Sequence, residues 1–192
     1  MNSKNHVLIG TLVYEYIGEK YGVVLDYESF IRGNTCPDHS LSFLRPHRLR
    51  CCKGMVQRKT KRLCRADWDE IGTKVSKKAG ILCHYYADFV CLAHNPGFGG
   101  GLTDHRRYEK ELLRYMNAHY DRFRGVDYVP SMETPKDAAE ICDHMRSLLR
   151  QKPVENLGMA EELLYAVRAC AELVLLVFFA AAGQGAVFAY TA

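Results

Sequence analysis

Between His84 and Glu109 the chain reads HYYADFVCLAHNPGFGGGLTDHRRYE, and no other stretch restricts its fold so tightly. The chemistry-bearing residues are His84-x3-Asp88, then His94, then His105-x3-Glu109. On an α-helix, residues four apart lie one above the other with Cβ atoms about 5–6 Å apart, so each His–acid pair can close on one metal ion. Imidazole nitrogen and carboxylate oxygen are ligand types that zinc takes in catalytic sites, where a position is left for water. With 8 His and 22 acids in 192 residues, chance supplies about one His-x3-acid pair, and this chain has two. A single pair would read as an ordinary hydrogen bond on a helix surface. Two pairs and a further His in one window, on two helices joined by a glycine-rich turn, read instead as helices folded together around metal. The glycines are no P-loop, because no Gly-Lys-Ser/Thr follows them.

The rest of the chain offers helices to pack against these two. Val7, Ile9, Leu12, Val13, Tyr16 and Ile17 recur at helical spacing over about residues 4 to 20, with His6 in the first turn and Gly22 as a stop. Asp26 reads as the N-cap of a short helix over 27–32, closed by Gly33 and Asn34. The segment GNTCPDHSLSFLRPHRLR, with its Gly, Asn and two Pro, is loop or broken helix and sets Asp38, His39 and His47 on backbone that can turn inward. Taken alone, Asp38 reads as a turn or cap residue, and the two histidines as surface residues. Between Arg48 and Arg65 stand eight Lys or Arg and no acid. Without regular aromatic interleaving this is a solvated helix face.

From Asp67 the pattern Trp68, Ile71, Val75, Ala79, Leu82, Tyr86, Val90 predicts a long helix carrying His84 and Asp88 near its end. Two polar groups buried there need partners, which a metal would supply. Thr103 or Asp104 is expected to cap the next helix, Val129-Pro130 to lie in a loop, and Pro135 to open a helix running to about Gln151. His119 reads as a dipole-compensating or surface residue and His144 as structural. Pro153 breaks the chain before a last helix from about Leu157. Its apolar run, residues 173–182, spans ten residues against the ~20 a bilayer requires. A buried core helix or a homodimer seam is the first reading, membrane association the second. The whole predicts an all-α bundle of about six helices, in a single domain over residues 1–192.

Composition bears mainly on compartment. The formal charge of +4 does not by itself demand a polyanionic partner. Eight Cys without framework spacing, mostly among apolar neighbours, suit reduced thiols. The first residues lack a basic segment leading into an unbroken apolar run and a small-residue cleavage site, so no secretory signal is expected. Both features predict a cytoplasmic location.

With these residues together, the chain resembles the bacterial zinc-dependent phospholipase C family, related in site chemistry to the S1/P1 nucleases. The resemblance rests on the early His6, on GNTCPDHS and RPHR with Asp38 and His47, and on GILCHYYADFVCLAHN and TDHRRYE. It covers about residues 6 to 109. It implies an all-helical fold with a polynuclear zinc cleft. Asp38, His47, His84 and Asp88 would hold one zinc, and His94, His105 and Glu109 a second. Asp88 would bridge toward a third, to which His6 contributes. In secreted members the mature N-terminal amine and carbonyl complete that third site, whereas here Met1 stands five residues before His6, so two or three zinc ions are expected. His39 is an alternative ligand to His47.

Zinc ions held close together bind phosphoryl oxygens and lower the pKa of a bound water toward ~7. Asp38 is the candidate to orient or deprotonate that water. The implied reaction is phosphodiester hydrolysis, first of a phospholipid head group, with contact to the inner membrane surface. An S1/P1-like nuclease, served by the basic segment 48–65, is the alternative. A third reading is a metal-binding or membrane-associated protein without turnover.

Overall fold

Capping chemistry decides where the helices begin and end. A computed structural model of the chain describes residues 1–39, 46–68, 71–128, 135–151 and 158–182. Among them are eight α-helices and no strand. They are α1 (Ser3–Tyr21), α2 (Tyr27–Thr35), α3 (Leu49–Leu63), α4 (Thr73–Val90), α5 (Leu102–Ala118), α6 (Tyr120–Arg124), α7 (Ala138–Gln151) and α8 (Met159–Ala182). Short 3-10 turns lie at Cys36–His39 and Leu92–His94. The Asn2 side chain accepts from the Lys4 and Asn5 N–H groups to start α1, and Gly22, at φ 66°, ends it in the left-handed region. Asp26 caps α2 by accepting from Ser29 N–H. Both Gly22 and Asp26 act as the sequence predicts.

Other boundaries differ. The long helix starts at Thr73 rather than near Asp67. Trp68 precedes it, donates its indole N–H to the Leu63 carbonyl at 3.0 Å and packs edge-on against Phe178, so it ties α3 to α8 instead of opening α4. Gly101 is the N-cap of α5, and Asp104 acts from inside the helix by accepting the Gly101 N–H at 3.1 Å. At α7 the cap is Asp137, which accepts from Ala139 and Glu140 N–H, and Pro135 lies ahead of the helix. The helix the sequence did not foresee is α6, 5 residues split from α5 by a break at His119. Val129-Pro130, Pro153, Leu157 and Gly183-Gln184-Gly185 fall outside the described residues.

The core is built on α8. Leu163, Val167, Cys170, Leu175 and Val177 are fully buried, and the helix packs against α1, α4, α5 and α7. The ten-residue run is part of a longer apolar segment, Met159–Ala181, whose most apolar 18-residue stretch has a mean hydropathy of 2.1 and which by length and composition could cross a membrane. Yet 72% of its most apolar stretch is buried inside the chain. It is a core helix, and the same burial takes the residue 173–177 face away from any dimer seam. Glu172, one of the buried acids of this helix, lies 2.7 Å from His144 Nε2 on α7, which gives His144 a structural role.

One contact sets up the site. Gly33 of α2 and Gly80 of α4 face each other so closely that a Cβ on Gly33 would stand 2.2 Å from the Lys77 carbonyl oxygen, and one on Gly80 2.1 Å from that of Phe30. Only glycine permits this backbone approach. It carries the end of α2, and the Cys36–His39 turn after it, against the half of α4 that bears His84.

Candidate metal centre

The α4 side of the site is buried. His84 and Asp88 stack one turn apart with no exposed surface. The His84 Nδ1–H donates to the Asn34 carbonyl at 2.8 Å, which leaves the Nε2 lone pair facing His47 Nδ1 at 3.0 Å, Asp88 Oδ2 at 3.3 Å and Asp38 Oδ1 at 3.6 Å. A backbone carbonyl that fixes the tautomer in this way is the usual support of a metal-bound imidazole. His6 comes from α1 and stacks on His84 with ring centroids 3.9 Å apart. Its Nε2 is 3.3 Å from Asp88 Oδ1, but neither ring nitrogen makes a hydrogen bond despite full burial. Such an imidazole is costly without a partner, and a metal ion is one partner that fits. His47 Nδ1 lies 2.8 Å from Asp88 Oδ2, and Asp38 accepts from Ser3 Oγ–H at 3.0 Å.

The α5 side is more open. Glu109 Oε1 sits 2.9 Å from His105 Nε2, one turn away, and 3.4 Å from His94 Nε2, which the Leu92–His94 turn brings in from the end of α4. Side-chain exposure is 14% for His94, 28% for His105 and 11% for Glu109, against none for His84 and Asp88. The Met1 ammonium lies between the two sides, in contact with Asp88 Oδ1, 2.8 Å from His94 Nε2 and 3.3 Å from Glu109 Oε1.

Among the described residues, potential ligand atoms gather into three groups, each within 4.8 Å: His6, His84 and Asp88; Asp38, His47 and His84; His94, His105 and Glu109. All eight residues singled out in the sequence thus meet in one place. The expected pairing of Asp38 with His47 and of His94 with His105 and Glu109 recurs, while His84 reaches two groups at once. His39, the alternative to His47, is exposed and lies 3.2 Å from Ser3 Oγ, outside all three groups.

Electrostatics follow from burial and packing. Burial works against charge on Asp88, but the Met1 ammonium, His94, His6 and His84 outweigh it and hold the carboxyl well below its usual range. Glu109 is likewise held down, to about 2, by the His94 hydrogen bond, the ammonium and His105 acting against burial. Burial resists the Met1 ammonium too, yet Asp88, Cys91 and Glu109 raise it to about 12. Burial, with His84 nearby, lowers His6 to about 4, so its imidazole is neutral at pH 7 with a lone pair to give. Ionised carboxylates and neutral imidazoles are the states in which these side chains bind metal.

The family model described as zinc dependent phospholipase C matches residues 5–151. The chain belongs to that family. Neither the curated proteins nor the solved structures contain a match to it. The family is one of zinc-dependent hydrolases acting on phospholipids, and the N/O donor set of the three groups fits zinc. The phospholipase C match includes seven of the helices and stops before α8.

Several supporting residues escaped the sequence. Glu162 of α8 is fully buried, and its Oε2 accepts both the Leu92 N–H at 2.9 Å and the Tyr108 hydroxyl at 2.8 Å. One carboxylate therefore grips the turn that ends in His94 and the residue next to Glu109. Asn5 and Asn2 donate to the Glu109 carbonyl at 3.1 and 3.3 Å, which ties α1 to α5. An acid inside an apolar helix was the available signal for Glu162, since such a group needs partners. Nothing local marks Asn34, whose role is carried by its backbone.

Proposed function

We propose that this member of the zinc-dependent phospholipase C family is a phosphodiesterase that cleaves a phospholipid head group by water attack, holding two or three zinc ions. The observation that carries the reading is one open cleft of about 600 Å³, onto which two ligand groups open through Asp38, His47, His94, His105 and Glu109, with His6, His84 and Asp88 buried behind it. His6, His47, His84, Asp88, His94, His105 and Glu109 would hold the metal. Bound zinc supplies positive charge for the phosphoryl oxygens and acidifies a water molecule.

The remaining steps fall to the chain itself. Asp38 lines the cleft with 23% of its side chain exposed, so one carboxylate oxygen can reach solvent while Ser3 Oγ–H steadies the other. Asp38 is therefore the proton acceptor that orients the attacking water. Asp88 and Glu109, both kept ionised, offset the charge gathered in the cleft, and His6 and His84 exclude solvent behind it. None of the eight cysteines is in a disulfide, which supports a reducing, cytoplasmic compartment and access to an inner leaflet.

The test is zinc content by elemental analysis, with hydrolysis of a short-chain phospholipid as the second readout. Two to three zinc ions per chain are expected, reduced in Asp88→Ala and Glu109→Ala. Asp38→Asn should keep most of the zinc and lose about 100-fold or more in kcat. Full zinc and full turnover in all three variants would falsify the site assignment.

A further inference from the structure

We propose that the substrate's head group carries a second phosphate, held by Arg48 and Arg106 at the mouth of the metal cleft. This rests on the phosphodiesterase reading above and names the substrate class for the same site. The acids lining the cleft are Asp38 and Glu109, and both belong to ligand groups. With Asp38 given to the attacking water and Glu109 to metal, no carboxylate is left among the described lining residues, and no Phe, Tyr or Trp is among them. A choline or ethanolamine ammonium is recognised by an acid or by an aromatic face. Among the described lining residues it finds neither.

What the cleft offers instead is cationic. Arg48, at the N-cap of α3, and Arg106, in the opening turns of α5, line it from separate elements. Neither side chain enters an ion pair or hydrogen bond among the described residues, in contrast to Arg107, which is held by Asp104, and Arg124, held by Glu15 and Glu19. A guanidinium fork matches two oxygens of a phosphate. Arg48 and His94 also line an adjoining hollow of about 310 Å³ whose wall includes Leu49, Phe89, Pro96 and Leu149. A lipid phosphodiester at the ligand groups thus has apolar surface nearby for its glycerol side, in a hollow that shares Arg48 and His94 with the cleft, and two guanidiniums without a partner among the described residues for a phosphorylated head group.

The experiment compares kcat/KM on dihexanoyl phosphatidylinositol, its 4-phosphate and dihexanoyl phosphatidylcholine, all as monomers so that surface charge plays no part. The added phosphate should raise kcat/KM about ten-fold or more over phosphatidylinositol, with phosphatidylcholine the poorest substrate. Arg106→Gln and Arg48→Gln should each bring the ratio of the 4-phosphate to phosphatidylinositol toward one, with zinc content unchanged. Equal rates on the two inositol lipids, or a preference for phosphatidylcholine, overturn this inference and leave the phosphodiesterase reading standing. Hydrolysis of none of the three overturns that reading itself. Cleavage of a single-stranded oligonucleotide in place of every lipid overturns the lipid head group and assigns the arginines to a nucleic-acid backbone.

Discussion

The two sides of the metal centre use the same ligand types and are built in opposite ways. On the α4 side His6, His84 and Asp88 are sealed in the core, and their geometry is set by backbone: a carbonyl at His84 Nδ1 and two glycines that let α2 touch α4. On the α5 side His94, His105 and Glu109 are partly exposed, and side chains from distant helices hold them, with Glu162 from α8 and Asn5 from α1. Backbone support is rigid and inseparable from folding. Side-chain support can be removed one group at a time, so zinc on the α5 side should be the easier to lose.

The largest effect expected breaks the α4 side through the fold. Gly80→Ala places a methyl group 2.1 Å from the Phe30 carbonyl oxygen, so the two helices must part. Chemical denaturation should register a loss of about 3 kcal/mol or more, with both sides of the centre disrupted. Unchanged stability and zinc content would mean that the close approach does not position the site.

Acid should act next, and again on the buried side. His6 is neutral in the fold down to about 4, while an unfolded His takes up a proton near 6.5. Between those values the unfolded chain binds more protons, so the stabilisation is complete above pH ~6.5 and is lost as pH falls through about 4. Glu109 adds to the loss further down, as pH falls through about 2. Thermal melting of zinc-free protein should therefore decline from pH 7 to pH 4, before ordinary surface carboxylates titrate fully. A His6→Asn variant should flatten the upper part of that decline, and a decline of the same slope in both proteins would remove His6 from the account.

The smallest effect sharpens the comparison by touching the α5 side alone. Glu162→Ala removes the acceptor shared by Leu92 N–H and the Tyr108 hydroxyl, and should weaken zinc binding there about 10–100-fold, the usual consequence of losing such a support. Glu162→Gln retains an oxygen that can accept both hydrogens and should recover most of the affinity. Competition with a chelator measures both, and equal zinc affinity in Glu162→Ala and the parent would show that α8 does not hold this side.

Residue types at helical spacing were enough to reach much of this. Four-residue spacing is local geometry, so His84 with Asp88 and His105 with Glu109 were legible as pairs before any packing was known. Gly22 and Asp26 were legible for the same reason, because capping acts within a few residues. Helix starts at Thr73 and Gly101 were misplaced, since Trp68 answers to α8 and Asp104 to a backbone N–H that a cap assignment does not distinguish.

Only the tertiary structure decided which groups meet. His84 belongs to two ligand groups because Asn34, fifty positions earlier, turns its ring, and Glu162 serves the centre from a helix beyond the family match. That His47 and not His39 stands among the ligand groups likewise follows from where the chain passes Asp88, not from either residue's neighbours. Contacts of this kind depend on how close two backbones come, which at Gly33 and Gly80 turns on the absence of a single methyl group. Periodicity along one helix carries the local chemistry, and the distance between helices, set by packing, decides what that chemistry is aimed at.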